Sequence, residues 1–193
     1  FSQAGKGELI ERRFRAHSDG VALPGWEFIG PYLTPIPSSE ALNYTEIAST
    51  ISGKPIGFQD KNFNAHVWVE ENEFEFNLPL TPFGAVNVDL LFCEVWQDAI
   101  NKRKFDFFLE GEQKETDFDV FDKADGKNKA LLRSYLANLL DTKLTVKIKT
   151  KTINNGMLSG IRVSYLDDVS VTQNGGIFTQ TNLSKLDGSV TTT

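Results

Sequence analysis

The sequence predicts an all-β fold, a β-sandwich or jelly roll, and three observations support that class. Several segments alternate apolar and polar residues with period two, as strands with one buried face do. Turn signals such as Asn155-Gly156 separate these segments. All seven prolines lie between Pro24 and Pro82, which predicts loops and short edge strands there and a regular sheet region from about Ala85 onward.

Each strand is predicted from its own pattern. The segment 73–78 (EFEFNL) has its apolar residues on one face, whereas 86–95 is apolar on both faces, which is typical of a central strand. The segment 128–141 is ambiguous, because its leucines recur at the spacing of an amphipathic helix and also at the even spacing of a strand. Three further segments alternate: 105–109, 144–149 and 161–165.

Composition excludes several classes of protein. The 193 residues are 40% hydrophobic and 24% charged, as in a folded globular domain. No apolar run reaches the roughly 18 residues of a membrane helix, so direct membrane insertion is not expected. The net charge of −6 argues against nucleic-acid binding. We expect a flexible lead over 1–7, one domain over 8–171 and a polar tail or linker over 172–193.

No catalytic motif is present, neither G-x-S-x-G nor H-E-x-x-H nor a P-loop. His17 and His66 lack a visible nucleophile partner, so we interpret them as surface or hydrogen-bonded core histidines. One cysteine and two histidines are too few for a closed zinc site. We therefore expect no enzyme; a glycosidase stays open because its paired carboxylates are defined by their separation in space.

Acidic residues are densest in one short segment, which contains Asp117, Asp119, Asp122 and Asp125. The helix-loop-helix calcium motif needs acids at its first, third and fifth positions before a glycine, and counting back from Gly126 this pattern fails. Two interpretations stay open: a looser structural calcium site, or a solvated turn whose carboxylates bond their own backbone. No other cofactor is expected.

Two aromatic residues lie beside polar residues near predicted turns. Trp96 precedes Gln97 at the end of the central strand, and Phe63 lies between Asn62 and Asn64. Sugar rings stack their C–H faces on aromatic rings while amides bond the hydroxyls, so this composition suits a glycan site. The alternative is a core aromatic that covers a strand end.

Two segments match the N-glycosylation acceptor, with Asn43 and Asn182 as the acceptor residues. Chance alone predicts roughly two such matches in a chain of this composition. They are compatible with secretion and are no evidence for it.

Four segments from the central strand onward form a recognisable series: VDLLFCEVW at 88–96, KFDFFLEG at 104–111, DFDVFD at 117–122 and NNGMLSGIRV at 154–163. The series resembles the malectin and malectin-like carbohydrate-binding domains. Their corresponding motifs are a strand ending in F-A-E-x-Y/F, then R-x-F-D-V-x-I-N-G, D-F-D-I and D-N-P-x-I-x-A-I-x-I. Order and spacing agree over roughly residues 60–165, and upstream the match is thin.

The resemblance implies a galactose-binding-like sandwich with a sugar cleft formed by loops at one end. Phe63 takes the position of the tyrosine in the family's Q-T-E-R-Y. Trp96 and Gln97 take the two positions after the glutamate of F-A-E. Asn154 takes the aspartate of D-N-P, and Asn155 lies beside it.

The resemblance also implies an early tyrosine, supplied by Tyr32 or Tyr44, a structural role for Glu94, and a strand rather than a helix near 131–140. Two departures from the family pattern weaken hydroxyl recognition. Phe63 has no hydroxyl, and Asn154 is uncharged where the family has an aspartate, whose hydrogen bonds would be stronger.

We therefore expect a non-catalytic module that binds an oligosaccharide or polysaccharide, on the cell surface, in a secreted protein or in the secretory lumen. The missing start methionine and the polar tail suggest a module of a larger chain with neighbouring domains. The alternative is a structural or adhesion module of an extracellular assembly in which the sugar site is degenerate.

Overall fold

Two five-stranded sheets face each other and make the fold an all-β sandwich. The structure is a computed structural model that describes residues 11–16, 25–34, 43–46, 50–68, 72–80, 84–151, 155–165, 169–173 and 176–180. Of 43–46, 169–173 and 176–180 it describes the backbone alone. The all-β class predicted from the sequence is confirmed.

Strands are numbered in chain order. The first sheet has the order β10 (Leu131–Leu139), β7 (Gly84–Phe92), β12 (Gly160–Tyr165), β1 (Glu11–Arg15) and β2 (Glu27–Phe28). The second has the order β3 (Leu33–Thr34), β6 (Glu73–Pro79), β11 (Lys143–Thr150), β8 (Phe105–Leu109) and β9 (Glu112–Phe118). Two strand pairs lie outside them: β4 (Asn43–Glu46) with β5 (Ala65–Trp68), and β13 (Val169–Gln173) with β14 (Gly176–Gln180).

Helical structure in the described residues is limited to short segments. They are the helix α1 (Val120–Ala124) and two 3-10 turns, Gly30–Tyr32 and Asp60–Asn62. None of the helices in these ranges has the length and apolar content to cross a membrane.

The inner core, the space between the two sheets, is filled by apolar residues from alternate positions of the strands. Four phenylalanine rings form its centre, with centroids 5.0–5.9 Å apart: Phe92, Phe105, Phe107 and Phe118. Tyr135 of β10 adds a ring 5.5 Å from Phe107 and donates its hydroxyl to Glu115. These contacts join β8 and β9 of the second sheet to β7 and β10 of the first.

The central position of β7 is confirmed, since it pairs with β10 on one side and β12 on the other. From Leu91 onward its outer face is apolar, because residues 50–63 cover Leu91, Cys93 and Val95. This outer cluster contains Ile51, Phe58, Phe63, Leu91, Cys93 and Val95. The apolar residues on both faces of this segment therefore pack on two separate surfaces, the inner core and the outer cluster.

Residues 131–139 form a strand, as the family resemblance implied, and the helical alternative is wrong. The strand pairs with β7 over nine residues. Leu131, Tyr135 and Ala137 pack against the inner core, while Leu132 packs against the outer cluster. The leucine spacing fits both periods, and pairing with the central strand decides between them.

The structure bears on one of two predictions about chain organisation and leaves the other untested. The proline-containing region supplies β2 and β3, which are two residues long and lie at sheet edges, as expected. The hairpin of β13 and β14 spans the predicted start of the polar tail at residue 172. The domain boundaries themselves stay a prediction.

Candidate functional site

Three connections meet at the end of the sandwich where β7 finishes. Because β7 is antiparallel to its neighbours, Phe92 lies opposite Leu131 and Leu91 opposite Gly160. We call this region the loop end. It comprises residues 93–104 between β7 and β8, residues 119–130 between β9 and β10, and residues 155–159 before β12.

Trp96 is the large hydrophobic residue that the loop end exposes most, at 69%. Its backbone is nevertheless held. The amide N–H groups of Trp96 and Gln97 both donate to Oε1 of Glu94, each at 2.9 Å. The Nζ of Lys127 donates to the carbonyl of Trp96 at 3.2 Å. The indole therefore projects into solvent from a turn that is fixed by hydrogen bonds.

Glu94 and Arg103 form a buried ion pair behind Trp96. The side chain of Glu94 is 0% exposed and that of Arg103 is 7% exposed, and Arg103 Nε donates to Glu94 Oε2 at 2.8 Å. Arg103 also donates through Nη1 to the carbonyl of Asn155. Glu94 has the structural role that the resemblance implied, although it lies just beyond the strand. Through this pair the structure brings Trp96 and Gln97 together with Asn155.

His66 lies on β5 and is fully buried. Burial and, to a smaller extent, the positive charge of Arg103 together lower the pKa of its imidazole to about 3. Among the described residues its Nδ1 has no hydrogen-bond partner. His66 is thus a neutral core histidine at neutral pH. His17 lies outside the described residues.

Phe63 does not reach the site, and its predicted stacking role is wrong. Its side chain is 0% exposed and packs 5.8 Å from the ring of Phe58 in the outer cluster. The preceding 3-10 turn is closed by a capping box between Gln59 and Asn62, which directs Phe63 inward. The sequence carries a signal for this outcome, because an apolar outer face on the central strand requires a cover.

Tyr32 also lies elsewhere. Its hydroxyl donates to Glu27 of β2 at 3.1 Å, and its ring packs edge-on against Phe14 of β1 at 5.4 Å. Strand β2 is three strands from β7 in the first sheet, which is about 14 Å. The structure therefore does not bring Tyr32 to Trp96, and its predicted place in the cleft is wrong.

The other predicted residues are not described in atomic detail. Asn154 and Asn182 lie outside the described residues. Asn43 and Tyr44 belong to β4, of which the backbone alone is described. Their predicted roles stay predictions.

Asp117, Asp119 and Asp122 line one pocket together with Lys104 and Lys123, and α1 lies between Asp119 and Asp125. Asp119 caps α1, accepting from the amides of Asp122 and Asn101. Asp125 is 99% exposed and pairs with Lys129 at 3.0 Å. No group of three or more His, Cys, Asp or Glu side chains suited to a metal occurs in the part of the chain that is described. The bonds of Asp119 to backbone amides are of the kind that the second interpretation describes, and the structural calcium site stays a prediction.

Comparison with known proteins identifies the family. A family model described as the malectin domain matches residues 38–167. The chain belongs to the malectin domain family. No curated protein sequence matches it.

Solved structures of other proteins share the fold of this malectin domain at low sequence identity. The ANXUR2 extracellular domain from Arabidopsis thaliana is 13% identical, with a TM-score of 0.63, covering 74% of this chain and 43% of that one. A structure of the plant peptide RALF23 in complex with FER and LLG2 matches at 15% identity and a TM-score of 0.65, covering 79% and 48%. This chain thus spans less than half the length of those chains.

An enzyme also appears among the similar structures. The β-glucuronidase 2 of Bacteroides uniformis is 17% identical, with a TM-score of 0.56, covering 80% of this chain and 17% of that chain. At such identities the likeness shows the fold alone, so it assigns neither a substrate nor a partner to this malectin domain.

Proposed function

We propose that this malectin domain is a non-catalytic module that binds an oligosaccharide or polysaccharide at the loop end. The observation that carries the proposal is the exposed indole of Trp96 on a backbone held by Glu94. An exposed aromatic ring on a rigid support costs little ordering entropy when a sugar ring stacks on it.

The roles follow from position and chemistry. Trp96 supplies the stacking face. Gln97 and Asn155, which are half-buried at the loop end, and Asn154 supply neutral amides for sugar hydroxyls. With Phe63 buried, one ring carries the stacking, so affinity per site is low and useful binding needs several modules in one extracellular protein.

The state of Glu94 argues against this residue as the catalytic acid of a glycosidase. Both of its carboxylate oxygens accept hydrogen bonds, and the side chain is buried under the loop. A catalytic acid must reach a glycosidic oxygen, which a carboxylate in this setting cannot do.

The second candidate function is protein binding in an extracellular assembly. Ile100 lies on the same loop as Trp96 and is 54% exposed, and an apolar pair of this kind suits a protein interface as well as a sugar. A similar fold occurs in the complex of RALF23 with FER and LLG2.

A titration separates the two. Tryptophan emission is followed while gluco- and galacto-oligosaccharides are added to the wild type, Trp96→Ala and Ile100→Ala. We expect saturable binding that Trp96→Ala abolishes and Ile100→Ala preserves. No response to any sugar, while acrylamide still quenches Trp96, would contradict carbohydrate binding and favour the protein interface.

A further inference from the structure

We infer that Glu94 and Arg103 are positioning residues of the Trp96 site. Glu94 sets the place of Trp96 and Gln97, and Arg103 sets the place of Asn155 relative to them. The sugar at this site rests on the proposed function, whereas the positioning itself is measurable without any sugar.

Glu94 holds two loops at once. Its carboxylate accepts the amides of Trp96 and Gln97, and its backbone carbonyl accepts the amide of Asn128 at 2.8 Å. Lys127, one residue before Asn128, donates to the carbonyl of Trp96. The turn that carries the indole is therefore tied to the β9–β10 connection on both sides.

Arg103 connects this turn to the third loop. One planar guanidinium donates through Nε to Glu94 and through Nη1 to the carbonyl of Asn155. The fork has a fixed geometry, so the two acceptors are held at a set separation. Burial strengthens both bonds, because water does not compete for them.

The pair matters more for geometry than for stability. A buried ion pair gains little net stability over an apolar pair of the same volume, because both charges lose their hydration. Without the pair, the amides of Trp96 and Gln97 and the carbonyl of Asn155 lose the acceptor and donor that hold them. Movement of these groups toward water raises the ordering cost of binding.

A second carboxylate–guanidinium pair in the first sheet provides a control, with an arginine that is 28% exposed against 7% for Arg103. Arg162 Nε donates to Asp89 Oδ2 at 2.8 Å, and the Asp89 side chain is 2% exposed. This pair joins β12 to β7 in the middle of the sheet, away from the loop end. Its loss changes a similar number of charges without releasing Trp96.

The first measurement uses the mobility of Trp96 in a protein that carries Trp26→Phe and Trp68→Phe. Time-resolved fluorescence anisotropy then reports the remaining indole. In Glu94→Leu/Arg103→Met we expect the amplitude of nanosecond local motion to rise about twofold. The control Asp89→Leu/Arg162→Met keeps the parent amplitude. Equal amplitudes in the parent and the loop-end variant, or an equal rise in the control, would overturn the inference.

The second measurement uses Glu94→Gln/Arg103→Met. Glutamine has nearly the shape of glutamate and keeps one oxygen that can accept hydrogen bonds. We expect Trp96 to regain the parent anisotropy, because the glutamine oxygen still accepts both amides. Amide hydrogen exchange of Asn155 and Gly156 should nevertheless rise about tenfold, because the bond to Asn155 is gone. Should the leucine variant fail to fold, this variant alone decides, and parent-like exchange at Asn155 and Gly156 overturns the role of Arg103.

Affinity distinguishes this inference from the proposed function. For an oligosaccharide of the panel that the wild type binds, we expect about tenfold weaker binding by Glu94→Leu/Arg103→Met. A wild type that binds no sugar refutes the proposed function, and the anisotropy and exchange results still decide the positioning roles.

Discussion

The inner core and the Glu94–Arg103 pair of the loop end are both buried, yet different interactions act in them. In the inner core, phenylalanine rings from both sheets interlock at centroid distances of 5.0–5.9 Å. At the loop end, the carboxylate of Glu94 and the guanidinium of Arg103 hold backbone groups of two loops, and the backbone carbonyl of Glu94 holds the third. Apolar burial is non-directional and proportional to area, whereas hydrogen bonds are directional.

The inner core therefore controls the stability of the fold, and the loop end controls the position of a functional side chain. Removal of core volume lowers the free energy of unfolding and leaves loop geometry as it is. Removal of a bond at the loop end shifts a functional side chain at a smaller cost in stability. Each of the following predictions tests this separation, beginning with the largest effect.

Phe107→Ala should lower the free energy of unfolding by about 3–5 kcal/mol, because it empties a site at the centre of the inner core. Its ring contacts Phe92, Phe118 and Tyr135. Urea unfolding measures the loss, and Phe107→Leu, which keeps most of the volume, should lose less than about 1.5 kcal/mol. Acrylamide quenching of Trp96 should match the wild type in both folded variants; a changed quenching constant would contradict the separation.

Gly156 lies between the loop end and the inner core, and Gly156→Ala should lower the free energy of unfolding by about 1–3 kcal/mol. An added Cβ would lie 2.4 Å from Ile148 Cγ2 and 3.3 Å from Phe105 Cβ. Repeating the substitution in an Ile148→Ala background removes the nearer contact, so the cost should fall in this double-mutant cycle. An equal cost in both backgrounds would show that the backbone beside Asn155, and not the core, rejects the methyl group.

Stability should fall in mild acid because of His66. The pKa of its imidazole is about 3 in the folded protein against 6.5 in the unfolded chain, so unfolding takes up a proton between these values. The free energy of unfolding therefore does not depend on His66 ionisation above about pH 6.5. Below it, the free energy of unfolding falls by about 1.4 kcal/mol per pH unit as the pH approaches 3. His66→Gln should remove this share of the slope between pH 6 and 5 in urea unfolding. A wild-type slope in that variant would assign the acid sensitivity to carboxylates.

Trp96→Ala should have the smallest effect on stability, within about 0.5 kcal/mol, because most of its side chain is already in water. Thermal unfolding measures it, with Leu140→Ala, at a side chain 83% exposed outside the loop end, as the control. A loss above about 2 kcal/mol would mean that the indole covers buried surface, and the division between the two regions would fail there.

Much of the fold was predictable because alternation is a local property. The pattern of 73–78 and the double-sided pattern of 86–95 correspond to β6 and the central β7. The pattern of 131–139 could not decide between helix and strand, since leucines at even spacing of four fit both periods. For the site, Trp96, Gln97 and Asn155 could be singled out by loop position and family pattern, while their binding roles stay predictions.

The sequence by itself determined the all-β class, the central strand, the malectin family and an aromatic residue at the end of β7. Only the tertiary structure decided that Phe63 is buried, that Tyr32 lies on the β2 side of the sheet, and that Arg103 joins Glu94 to Asn155. The physical reason is range. Alternation arises between neighbours in the chain, whereas the burial of a loop side chain depends on which distant surface needs a cover.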